Sequence, residues 1–257
     1  INNYNPDLMI YAGDREDVLI YSFVATFLKI PSIHFFSGDH ASDGYVDNPV
    51  RHATSKLSSL HFVAIEKHKD RLVRMGESSK RIFKVGNIAL DRFVDFKSVS
   101  NEKISNQFNI NKNWLEYYSL VIFHPFKVEK ENYLRDFENI MKSLIDRNIN
   151  AFVNSPNTDP DNFRLRKIIS KYKNRPNFRF FDNLEREMFL SIYKNSKFII
   201  GNSSSGIVEA ASIPIPAINV GGRQKGRFSS GNVVFVGGEK NQIIDAVNEV
   251  KSEKFLQ

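Results

Sequence analysis

Three stretches of this sequence combine residue types and spacings that can do chemistry. In Gly201-Asn202-Ser203-Ser204-Ser205-Gly206, glycines and small hydroxyl residues form a turn between the apolar run Phe198-Ile199-Ile200 and the helix-like Ile207-Val208-Glu209-Ala210-Ala211. A strand, a Gly/Ser turn and a helix N-terminus make a phosphate cradle, because backbone N–H groups without intrahelical partners and the helix dipole both favour an anion. Ser203, Ser204 and Ser205 add hydroxyl donors, and Glu209 lies just inside the helix, where it can accept from a sugar hydroxyl. The plainer use of serines here is to cap the helix. A second stretch, Asn219-Val220-Gly221-Gly222-Arg223-Gln224-Lys225-Gly226-Arg227, places glycines and cations after the next strand. It reads either as a flexible surface loop or as a diphosphate clamp in which Arg223 holds two oxygens at once. Two anion-suited turns in consecutive units favour the clamp.

The third set is acidic and imidazole-bearing. Gly13-Asp14-Arg15 follows a strand and opens a helix, so Asp14 is either a helix cap or a carboxylate base facing a cleft. The loop Ser37-Gly38-Asp39-His40-Ala41-Ser42-Asp43-Gly44-Tyr45-Val46-Asp47 carries three aspartates and a histidine. Neighbouring carboxylates push their pKa values apart, which is what an acid/base pair needs. Asp-His-Asp also suits a metal, but the spacing matches no standard site and no metal is expected. Arg51, one turn after Asp47, can pair with a carboxylate or a phosphate. His124-Pro125 ends a strand and is either structural or catalytic.

These groups need a scaffold, and the pattern supplies one. Strands are expected at 8–12, 32–36, 61–65, 81–85, 118–123, 151–154, 178–181, 198–200, 213–220 and 233–236. Helices are expected between them, one opening near Pro49, which suits a first helical position. Strands alternating with helices through short loops predict an α/β protein with parallel sheets covered on both faces. The alternation falls into two blocks, 1–97 and 98–257, with residues 97–113 as a linker or a short helix. Two Rossmann-like blocks put a ligand cleft between them, and sites in such sheets lie at the carboxyl ends of strands. Asp14, Arg15, Asp39, His40, His124, Asn154 and the serine turn all sit at such ends.

The 257 residues are 41% hydrophobic and 25% charged, enough for a substantial core. The net charge of +7 is scattered among acids, which fits a small anionic ligand rather than nucleic acid. No window is apolar enough to span a membrane, and no leader of the signal-peptide kind is expected. The absence of cysteine excludes disulfides and thiolate chemistry and fits a cytoplasmic protein. A start at Ile1 in an asparagine-rich lead gives the expectation of a piece cut from a longer chain.

Taken together, Gly13-Asp14-Arg15, Asp47-Asn48-Pro49-Val50-Arg51-His52-Ala53-Thr54-Ser55-Lys56-Leu57, His124-Pro125, Gly201 to Glu209 and Gly222-Arg223-Gln224-Lys225-Gly226-Arg227 resemble, in order, the UDP-N-acetylglucosamine 2-epimerases. The hydrolysing branch that feeds sialic-acid-like sugars is the nearer match. The resemblance implies two Rossmann-like domains of the glycosyltransferase-B kind, usually dimeric, with a UDP-sugar as substrate and no cofactor. It implies that UDP is held mainly by the second domain through Ser203, Ser204, Glu209 and Arg223; Ser205 and Gly206 of the same turn, with Arg15, His40, Arg51 and Asn154, are further candidates for substrate binding. Asp14, Asp47 and His124 align with catalytic positions. Many members carry a glutamate where Phe36 stands here; hydrolysing relatives carry a Gly-Gly-Gly-Asp-His version, which gives that carboxylate role to Asp39. The implied reaction expels UDP by anti elimination and hydrates the resulting glycal. The same resemblance implies that the family's first βαβ region and closing helix are missing, and that this piece is inactive by itself. A non-hydrolysing 2-epimerase, a catalytically impaired UDP-sugar-binding homologue and a glycosyltransferase of the same architecture are the alternatives.

Overall fold

The computed structural model describes residues 4–40, 46–125, 132–156, 162–213, 215–224, 229 and 231–252. The chain divides into two compact units, Ile1–Asp91 and Arg92–Gln257, at the short 3-10 helix Ile88–Phe93.

Unit 1 alternates β1 (Met9–Ala12), α1 (Glu16–Phe27), β2 (Ser32–Phe35), α2 (Asp47–Leu57), β3 (Leu60–Val63), α3 (Glu66–Arg74) and β4 (Ile82–Lys84). Its four strands are parallel and lie in chain order, β1-β2-β3-β4. Glu16 and Asp17 occupy the first turn of α1, where acids complement the helix dipole. That helix ends at Leu28 and Lys29, the latter left-handed at φ 56°, while Ile30 N–H returns 2.9 Å to the Ala25 carbonyl. This is the glycine-type helix stop made by a lysine, followed at once by Pro31. Pro49 is the third residue of α2 rather than the first; the earlier start costs nothing, because N–H groups in the first turn have no helical partner.

Unit 2 contains α4 (Asn101–Phe108), β5 (Tyr118–Ile122), α5 (Tyr133–Asp146), β6 (Asn150–Asn154), α6 (Asn162–Tyr172), β7 (Phe178–Phe181), α7 (Arg186–Asn195), β8 (Ile199–Gly201), α8 (Ser205–Ser212), β9 (Ala217–Val220), β10 (Val233–Val236) and α9 (Lys240–Val250). Its parallel sheet runs β10-β9-β8-β5-β6-β7, so chain order reverses between β5 and β8. Alternate strand residues serve the two faces. Val121, Ala151, Val153, Ile200, Ile218 and Val220 join the cluster under α5, α6 and α9; Leu120, Ile122, Phe152, Ile199 and Ala217 join the cluster under α4, α7 and α8.

One local reading of the sequence is decided between its two alternatives and another changes. The stretch 97–113 is a short helix, α4, capped by Ser100, whose side chain accepts from Lys103 N–H; Asn111 caps the 3-10 turn Lys112–Leu115 in the same way. The strand expected at 213–220 begins only at Ala217. α8 runs to Ser212, the Ile215 N–H is taken by the Ala210 carbonyl at 3.1 Å, and Pro216 has no N–H for a ladder.

Candidate functional site

In unit 1 the site forms where β1 and β2 end. The residue at the N-cap of α1 is Arg15, with no side-chain cap, so Asp14 does not cap the helix. Its carboxylate is ion-paired with Arg51 Nη2 from the second turn of α2. Arg51 is buried, donates from Nη1 to the Phe36 carbonyl at 3.0 Å, and lies 3.7 Å from Asp39 Oδ2. One guanidinium thus gathers the β1 turn, the β2 loop and two carboxylates. Asp39 Oδ1 accepts from His40 N–H at 2.7 Å and lies 3.2 Å from His68 Nε2. His40 Nδ1 is 3.2 Å from His52 Nε2, with the rings stacked at 5.5 Å. Burial, reinforced by His40, Arg71 and Arg51, lowers the pKa of His52 and favours its neutral form.

The backbone just before Asp39 has little freedom. Gly38 sits at φ 73°, and a Cβ there would lie 2.5 Å from the His68 carbonyl, while Arg71 Nη1 donates to the Gly38 carbonyl. The structure therefore brings Asp14, Asp39, His40 and Arg51 together. Arg15 and Asp47 are exposed at the heads of α1 and α2. Asp43 and Gly44 lie outside the described residues. Among the described residues no group of three or more acidic or imidazole side chains is placed to hold a metal.

In unit 2 the site forms at the reversal of strand order, where open α/β sheets bind ligands. β5 leads to His124 and β8 to the serine turn. Gly201 has φ 150°, and a Cβ there would fall 2.0 Å from the Ile122 carbonyl, so the turn needs glycine. Asn202 ties the two strand ends together: its Oδ1 accepts from His124 N–H at 2.8 Å and its Nδ2 donates to the His124 carbonyl at 2.9 Å. The Asn202 carbonyl in turn accepts from Arg223 Nη1 at 3.1 Å and Gln224 Nε2 at 3.0 Å, drawing the second anion-suited loop to the first. Ser204 stands at the N-cap of α8 without a side-chain cap, while Ser203 Oγ accepts from Ser205 N–H at 3.3 Å. Gly206 is buried in the first turn of α8, its Cβ position 3.7 Å from Ala217, so close packing against β9 favours a small residue. Glu209 pairs with Arg92 Nη2 at 2.5 Å. Asn154, half-buried at the end of β6, has a side-chain oxygen without a partner among the described residues. Lys225, Gly226 and Arg227 lie outside the described residues.

A profile of the UDP-N-acetylglucosamine 2-epimerases matches residues 1–257. The chain belongs to this family. Among its curated relatives, the UDP-N,N'-diacetylbacillosamine 2-epimerase (hydrolyzing) of Legionella pneumophila is 35% identical, covering 95% of this chain and 64% of that protein. The GDP/UDP-N,N'-diacetylbacillosamine 2-epimerase (hydrolyzing) of Campylobacter jejuni is 32% identical, covering 98% and 65%. The chain thus spans somewhat under two thirds of the length of these relatives. Among solved structures, the UDP-GlcNAc 2-epimerase of Neisseria meningitidis bound to UDP-GlcNAc matches with a TM-score of 0.79 at 20% identity, covering 99% of this chain and 71% of that one. The expected α/β fold of two parallel-sheet, Rossmann-like domains is the fold of these epimerases.

Two residues that the structure ties into these turns were not singled out in the sequence. Asn202 lay inside the serine motif but carried no assigned role; an asparagine after a strand-end glycine was its only signal. Arg92 sits 117 residues from Glu209, and nothing local to either announces the pair.

Proposed function

We propose that this family member is a hydrolysing 2-epimerase of a UDP-2-acetamido sugar. The observation that carries the reading is the pairing of Asp14 and Asp39 about Arg51 in a chain whose 35% and 32% identical relatives bear the hydrolysing name. Acid–base work at a sugar carbon needs carboxylates held at fixed separation, and departure of a diphosphate needs donors aimed at the charge it leaves with. Asp39, with His68 at 3.2 Å to exchange a proton with, takes the hydrogen from C2. The C2–H electrons form the C1=C2 bond as the C1–O bond to UDP breaks. Water then adds, its hydroxyl to C1 and a proton to the opposite face of C2, giving N-acetylmannosamine or a diamino relative. Asp14, Asp47 and His124 complete the acid–base set in this reading.

Unit 2 holds the leaving group. The N-terminus of α8 with Ser203, Ser204 and Ser205 receives the phosphates, Arg223 supplies charge, and Glu209 accepts from the ribose. Arg15, His40, Arg51 and Asn154 are assigned to the sugar side, and a homodimer is the expected assembly.

The protein as encoded in full, incubated with UDP-N-acetylglucosamine and with its diacetamido analogue, is followed by NMR. Free UDP with the 2-epimeric sugar supports hydrolysis. A UDP-linked epimer points instead to simple epimerisation. UDP binding without turnover points to an impaired homologue, the reading that Phe36 in place of a glutamate favours, and would sink the enzymatic one.

A further inference from the structure

Beneath the Asp14–Arg51–Asp39 cluster runs a second set of polar side chains that no step above uses. His34 on β2 has Nε2 at 2.8 Å from the Gly13 carbonyl and Nδ1 at 3.1 Å from Ser55 Oγ on α2. Ser55 Oγ is 2.8 Å from Ser37 Oγ, which is 3.2 Å from Nδ1 of His61 on β3. His61 Nε2 lies 3.2 Å from Glu77 Oε2. The first four of these side chains are 0% exposed and Glu77 is 4% exposed. Glu77 also takes Lys56 Nζ at 2.5 Å and Arg81.

Both ends of this run are acceptors. The Gly13 carbonyl has no hydrogen to give. Burial alone would raise the pKa of Glu77, but bonds from Lys56 and His61 pull it below the usual carboxylate value, so it is ionised. His34 and His61 must therefore both carry their hydrogen on Nε2. Burial lowers the pKa of His34 to about 4, so its Nδ1 is an acceptor near neutral pH. Burial lowers that of His61 too, against the pull of Glu77. Four neutral groups then supply four hydrogens to six contacts, the five along the run and the one from Ser55 to the Arg51 carbonyl. The shortfall falls on Ser55, whose single hydrogen faces Ser37 Oγ at 2.8 Å, the Arg51 carbonyl at 2.9 Å and His34 Nδ1 at 3.1 Å. A buried polar set this close to its hydrogen count fixes direction and geometry, at a cost in stability that apolar packing would avoid.

We propose that the run Gly13–His34–Ser55–Ser37–His61–Glu77 is the positioning device for this site. Glu77 sets the His61 tautomer, His34 anchors the carbonyl that precedes Asp14, and Ser37 and Ser55 tie the Asp39 loop to the helix bearing Arg51. This rests on the reading of Asp14 and Asp39 as acid–base groups. The five side chains are positioning residues.

The test uses the protein as encoded in full, with UDP-N-acetylglucosamine or its diacetamido analogue as the probe. His34→Gln keeps an N–H close to the Nε2 position, whereas the shorter amide of His34→Asn cannot reach Gly13. His34→Asn is expected to lower kcat about 100-fold with KM changed less than about threefold, as misplacement of reacting groups does. His34→Gln should recover most of that loss, and Ser37→Ala, which removes one hydroxyl, should lower kcat about tenfold. Side-chain nitrogen NMR should show His34 and His61 as Nε2–H tautomers. The proposal is overturned if folded His34→Asn or Ser37→Ala turns over like the parent, if the Gln and Asn variants fail alike, or if either ring carries its hydrogen on Nδ1. A parent that binds UDP but turns over neither probe defeats the functional reading instead; the nitrogen spectra then decide the run, and an Nδ1–H at His34 or His61 defeats it.

Discussion

Between β2 and α2 the interior is made of histidines and serines, whereas between β5 and α5 it is made of Val121, Phe123, Phe137, Ile140 and Met141. Among the described residues unit 1 buries eleven polar side chains and six apolar ones, while unit 2 buries thirty-nine apolar and nine polar. Apolar burial stabilises without regard to direction, at about 25 cal/mol per Å². A buried hydrogen bond contributes about 1 kcal/mol net but fixes an angle and a tautomer. Unit 2 is accordingly a sturdy platform that presents backbone donors. Unit 1 gives up cohesion for control over where its carboxylates stand.

If that division is right, changes to the two units should be read by different instruments. The largest effect on activity is expected at turnover. Asp14→Asn, in unit 1, should lower kcat at least about 100-fold, the range of lost acid–base help, while UDP affinity by calorimetry changes little. Parallel loss of turnover and UDP affinity in this variant would erase the distinction between the two halves.

Next comes the platform. Phe152 is fully buried with Trp114 at 4.9 Å and Tyr118 at 5.1 Å between ring centroids. Phe152→Ala should destabilise unit 2 by about 3–5 kcal/mol in urea titrations followed by the fluorescence of Trp114, the single tryptophan.

Acid should act on the other unit. The folded His34 has a pKa of about 4 against an unfolded 6.5, so between these values the unfolded chain binds more protons. Stability is therefore fully present above pH 6.5 and is lost as pH falls toward 4, by about 3 kcal/mol from His34 alone. His61, lowered in the same direction, adds to it. Amide exchange should show unit 1 losing protection across this window while the urea midpoint reported by Trp114 stays nearly level. A midpoint that falls in step would contradict the contrast.

The smallest effect belongs to the anion turn. Ser204→Ala and Arg223→Ala should each weaken UDP binding by about 1.5–3 kcal/mol at most, with kcat at saturating substrate less affected. Equal losses of kcat would place these residues with the acid–base groups.

The fold was largely legible in the sequence because short apolar runs and helix-period segments alternate cleanly, and the Gly201 turn announced itself by composition. The strand at 213–220 was overread because apolar Ile213 and Ile215 look like strand residues until the bond from Ile215 N–H to Ala210 is seen. The site was legible in its parts but not in its pairings. Asp14 read locally as either a cap or a cleft carboxylate; its partner, Arg51, lies 37 residues away. His34, Ser55 and His61 gave no warning, since a histidine in a strand and a serine in a helix look ordinary until the sheet sets them side by side. Contacts of 21 and 24 residues in separation carry no periodic signal.

The reversal of strand order between β5 and β8 also has a consequence for how the protein is made. β5, β6 and β7 pair with their neighbours as the chain emerges, each contact needing only one intervening helix. The Asn202 bonds to His124 close a loop of 78 residues, so they wait until β8 has been synthesised. Long loops close slowly, and their contacts form late. A ribosome stalled before residue 199 would hold a half-sheet with β5 as an open edge and no anion turn, the form of this chain most exposed to mispairing.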